Sequence, residues 1–161
     1  MQGSITQYRR QISVYSAITG LACLVLLVAC GEAEVPAEVQ LRRWVSLGQA
    51  AAEDKERSEI IDMISPAYAD ARGNERDDIE SLLRLYFFRQ HSIKLITSID
   101  EIRLYGDSAA KIDLQVGMAG TNDGVFGFSA DAYRFQLELE RDDDDWLLIS
   151  ARWGELGQEL H

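Results

Sequence analysis

Apolar positions between residues 37 and 90 recur at helical spacing, and from residue 93 onward they recur at every second position. Val39, Leu41, Trp44, Val45, Leu47 and Ala51 form one stripe, with Arg42, Arg43, Gln49 and Glu53 on other faces, which predicts a helix over 37–53. Ile60, Ile61 and Ile64 predict a shorter one over 55–65. Pro66 ends it, because the residue before a proline is pushed away from the α region. Gly73-Asn74 supplies a turn, and a third helix follows over 77–90 with Ile79, Leu82, Leu83, Tyr86 and Phe87 facing inward.

Beyond His91 the clearest alternation is Ala110, Ile112, Leu114, Val116 and Met118 against Lys111, Asp113, Gln115 and Gly117. Tyr133, Phe135, Leu137 and Leu139 repeat it, and so do Leu147, Ile149, Ala151 and Trp153; residues 93–105 give a fourth, less regular strand. Turns are expected at 105–108 and 142–145, so the sheet should be an antiparallel meander, with 117–130 as its longest loop. Helices first and strands afterwards predict an α+β fold, with the helices on one face of the sheet and Trp153 buried against the third helix near Leu83 and Phe87.

Three features together resemble the nuclear transport factor 2-like (cystatin-like) superfamily. They are Ile64-Ser65-Pro66-Ala67-Tyr68-Ala69-Asp70 followed by Gly73 and a long amphipathic helix, the meander of long strands, and a closing strand Trp146-Leu147-Leu148-Ile149-Ser150-Ala151-Arg152-Trp153. The resemblance spans residues 37–154 and implies a curved antiparallel sheet wrapped around helices as a cone. In that superfamily the interior serves as active site, binding pocket or plain core, so the fold does not choose a function.

The first thirty residues read differently. They contain no Asp or Glu, carry Arg9 and Arg10 ahead of an apolar stretch over 17–29, and end in small residues, the layout of a secretory signal. At about 1.5 Å per residue that stretch is too short to cross a hydrocarbon core of roughly 30 Å with ease. Leu27-Val28-Ala29-Cys30 resembles the lipobox of bacterial lipoproteins. That resemblance implies a signal peptide over 1–29, acylation of Cys30 (diacylglycerol and palmitate), a short tether over 30–36 and a domain over 37–161 held close to a membrane. Gly31 in place of an aspartate implies an outer-membrane destination facing the periplasm.

Both cysteines, Cys23 and Cys30, precede the domain, so disulfides and cysteine-based metal sites are excluded from it. The chain has a net charge of −11, and loss of Arg9 and Arg10 with the signal takes the remainder to −13. Nucleic acid is excluded as a partner, and attachment to anionic lipid must come from acyl chains rather than charge.

Members of the superfamily that act as isomerases or dehydratases use Asp, Tyr or His inside the cone for proton transfer, which makes Tyr68, Asp70, Tyr86, His91 and Tyr133 the candidates here. Of these, Tyr133 has the inward register. His91 at a helix end fits a cap, Tyr68 a plug at the core edge, and Asp70 a turn that bonds its own backbone. The four aspartates 142–145 lack the spacing of a calcium loop and fit a solvated turn. No phosphate-binding glycine loop, nucleophile elbow or metal motif occurs, and no cofactor is expected. The expected role is a membrane-tethered domain that binds a small apolar ligand or a protein partner. The alternative is a proton-transfer enzyme using Tyr133 with His91 or Asp70.

Overall fold

The computed structural model describes residues 35–121 and 128–161, and of residues 120–130 no side chain is described. The signal, Cys30 and the middle of the loop expected over 117–130 therefore lie outside the described residues. Among the described residues three helices, α1 (Ala37–Glu53), α2 (Arg57–Asp62) and α3 (Arg76–Arg89), precede four strands, β1 (Ser92–Tyr105), β2 (Ala109–Thr121), β3 (Phe128–Asp142) and β4 (Asp145–Glu155). The strands pair in sequence order, all antiparallel, and the fold is the expected α+β arrangement of helices on an open meander. No helix among the described residues is long and apolar enough to cross a membrane.

The core lies where the inward face of the sheet meets α1 and α2. Leu41 and Val45 of α1, Ile61 of α2, and the alternating Ala110, Ile112, Leu114 and Val116 of β2 are buried together. Outward-facing positions carry paired charges instead: Arg103 bonds Asp113, Lys111 Nζ lies 2.9 Å from Glu138, and Gln136 donates to Asp113 at 2.9 Å. The outer face is thus a polar lattice and the inner face is apolar, as period-2 patterning requires.

Four expectations need correction. The segment 117–130 is mostly strand: Gly117 pairs with Ala132 and Thr121 with Phe128, because backbone pairing continues past the point where glycine dilutes the alternation. The second helix stops at Asp62 rather than Ser65, because the following backbone turns to β4. Leu148 N donates to Met63 O at 2.9 Å, Ser65 N to Leu148 O at 2.9 Å, and Ala69 N to Ile149 O at 3.1 Å.

The other two concern faces. In β4 the register shifts between Glu138 and Leu139 of its partner, so Ile149 is an extra residue and the inward set becomes Trp146, Leu148, Ala151 and Trp153. Leu147 falls opposite Glu140 on the outer side. Trp153 is half-buried rather than buried, stacked on Phe135 at 6.4 Å, while Trp146 is only 5% exposed. In α3 no residue is fully buried. Ile79 and Leu83 pack on the core, but Leu82, on the flank of the stripe, is half exposed, and the helix packs chiefly on α2.

Candidate functional site

Between α1, α2 and the inner face of β1 to β3 lies an open apolar cavity of about 270 Å³. One turn of α1 supplies Trp44, Gly48 and Gln49, while Leu114 and Val116 of β2 and Phe135 of β3 form the floor. Gly48 matters because it has no side chain there: a Cβ added to it would meet only the flexible end of Met63, at 3.4 Å. No ionisable side chain lines the cavity among the described residues.

Its two polar wall residues, Gln49 and Thr97, are turned to each other. Thr97 Oγ1 donates to Gln49 Oε1 at 2.7 Å, and Gln49 Nε2 donates to the carbonyl of Leu95 at 3.1 Å. One turn later Glu53 accepts from Leu95 N at 2.8 Å and from Lys94 Nζ at 3.1 Å. The Leu95 amide foremost, with Lys94, holds the Glu53 carboxyl below its ordinary range. Two side chains four residues apart on α1 thus satisfy both backbone groups of Leu95 on the free edge of β1 and fix the roof of the cavity to its wall.

The residues singled out from the sequence do not line this cavity. Tyr133 faces inward, half-buried, and burial first, then Asp131 and Glu155, push its hydroxyl up. Tyr86, on α3, is pushed up by burial and by the same Asp131. His91 is exposed between α3 and β1.

Tyr68 and Asp70 lie together in the loop before α3, with Tyr68 Oη donating to Asp70 Oδ2 at 3.4 Å. Asp70 also accepts from Arg72 N at 2.8 Å, Asn74 N at 2.8 Å and Asn74 Nδ2 at 2.7 Å. Burial raises its carboxyl, but these donors outweigh it and the net direction is down; burial and the Asp70 charge drive the Tyr68 hydroxyl well above its ordinary value. Arg72 extends from that turn to Trp153, its guanidinium 4.4 Å from the ring centroid and one nitrogen 3.0 Å from the Trp153 carbonyl. This is a turn held by its own aspartate and pinned to the last strand. Among the described residues no group of His, Cys, Asp and Glu could hold a metal ion.

Sequence reading missed Gln49, Thr97 and Gly48. The Gln49 to Glu53 spacing and the inward register of Thr97 between Leu95 and Ile99 were the available signals.

Comparison with solved structures places the architecture among known ones. A candidate dehydratase of the NTF2-like family from Streptomyces avermitilis superposes with a TM-score of 0.64 at 10% identity, covering 74% of this chain and 97% of that one. The fold is the nuclear transport factor 2-like cone. A ketosteroid isomerase-like protein from Erwinia carotovora atroseptica gives a TM-score of 0.61 at 10% identity, covering 74% of this chain and 96% of that one. A Bdellovibrio bacteriovorus protein gives 0.60 at 14% identity; 74% of this chain matches there, and the match spans only 40% of that longer chain. No protein-family model and no curated protein matches the sequence.

Proposed function

We propose that the protein is an acyl-anchored envelope lipoprotein, held through Cys30 and facing the periplasm, whose cone binds a small apolar ligand. The observation that carries the binding reading is the cavity itself. It is apolar and concave, as small-molecule sites commonly are, and it is roofed by a helix latched in place. Among the described residues the outer face of the sheet carries mostly paired polar side chains, which favours the interior over that face. The dehydratase and isomerase-like descriptions of the structural neighbours motivate a proton-transfer alternative. It lacks support in the cavity wall, where a base within hydrogen-bond reach of a substrate is needed.

Benzene, titrated into the protein, is expected to raise the melting temperature, with a stabilisation of about 2.7 kcal/mol at a hundredfold excess over the dissociation constant. Gly48→Leu should abolish the effect by filling the cavity, and because leucine is a better helix former than glycine the variant should still fold. An unshifted wild-type melt, or an equal shift in Gly48→Leu, would overturn the reading.

A further inference from the structure

We propose that the cavity admits only a ligand whose buried part carries no hydrogen-bond acceptor: a hydrocarbon, or the terminal segment of an acyl chain with its polar end left outside. This rests on the binding reading above and narrows it to a chemical class.

The wall has few donors, and all but one of them are engaged. Among the described residues, every lining side chain other than Trp44, Gln49 and Thr97 is apolar or glycine. The Thr97 hydroxyl proton is committed to Gln49 Oε1. The Gln49 amide is committed to the Leu95 carbonyl and engages Glu53 as well. Releasing either group to greet a ligand would undo the bonds that fix α1 to β1.

The one donor left is Trp44 Nε1. It is buried out of reach of water and has no partner, although the Trp44 ring is part of the cavity wall. A carbonyl or ether oxygen turned toward this wall would therefore find no donor there to replace its water. At about 270 Å³ the space equals roughly nine waters at 30 Å³ each, enough for a six-membered ring with one substituent or for a short run of methylenes.

Methylcyclohexane and cyclohexanone have nearly the same shape and differ in one acceptor oxygen. Binding of each to the full chain can be followed by NMR through the methyl groups of Leu114 and Val116, with Gly48→Leu as the filled control. The affinity ratio is expected to equal the ratio of their partition from water into liquid alkane, and Trp44→Phe should leave the ketone's affinity unchanged. A ketone bound about tenfold or more above that ratio overturns the inference while leaving the binding reading intact, since tenfold is the contribution of roughly one neutral hydrogen bond. Selective loss of ketone affinity in Trp44→Phe overturns it too, by identifying the indole as a working donor. If neither compound shifts the methyl resonances, the binding reading itself fails and the inference falls with it.

Discussion

Asp70 shows how much a single carboxylate can organise. Its two oxygens collect two backbone N–H groups, the Asn74 amide and the Tyr68 hydroxyl, while the side chain is only 9% exposed. An unfolded aspartate titrates near 3.9. The folded group titrates lower, so its stabilising contribution is fully present above that value and is lost as the pH falls through the depressed folded pKa. Asp70→Asn is accordingly expected to lower stability at pH 7 by about 1–3 kcal/mol, because one accepting oxygen becomes an amine facing donors. It should also flatten the acid limb of stability below roughly pH 4. Denaturant titrations from pH 2 to 7 check both, and an acid limb as steep as the wild type's would show that another carboxylate carries it. The sequence disclosed the aspartate as a turn former but not its four donors, because Arg72 and Tyr68 reach it only through the fold of the loop.

The elements divide by how strongly their pattern constrains them. Helix α1 is bounded where its stripe begins and ends, since a seventeen-residue amphipathic run admits one solution. Strand β4 was half legible: Trp146, Leu147, Leu148 and Ile149 are all apolar, so alternation fits either face, and only the bulge at Ile149 decides. The irregular look of β1 has a similar origin, a register shift between Ile99 and Glu101 that leaves Asp100 as the extra residue. The bulge makes a sharp prediction. Trp146→Ala, which removes a buried ring and its bond from Nε1 to Gln40 at 3.1 Å, should cost about 3–5 kcal/mol. Trp153→Ala should cost about half as much, since that ring is only half-buried. Thermal melts of the two variants check the order, and the reverse order would mean that β4 runs in its uninterrupted register. The cavity was not legible at all, because whether a cone is filled or open depends on how far the helices stand from the sheet.

At the scale of the molecule, the anchor and the cone make separate predictions. Cys30→Ser is expected to leave an uncleaved precursor that takes up no labelled fatty acid, because the thiolate is the group acylated; normal labelling of that variant would sink the lipoprotein reading. Such an anchor would hold many copies in a thin layer at a surface, where neighbours meet far more often than in free solution. In that setting the lateral borders of the sheet acquire a meaning that the isolated domain does not reveal. On one side Gln49 and Glu53 occupy the backbone groups of Leu95. On the other, residues 63–69 run along β4, and the chain end returns so that Trp153 and His161 exchange backbone bonds at 3.2 and 3.3 Å. That return passes so near Gly154 that a Cβ there would sit 2.6 Å from the Glu159 carbonyl oxygen. Unpaired strand borders are templates for zipping one chain onto the next. With Leu95 engaged on one border and β4 met by residues 63–69 and the chain end on the other, the chain's own atoms leave fewer backbone groups free for a neighbouring copy to pair with.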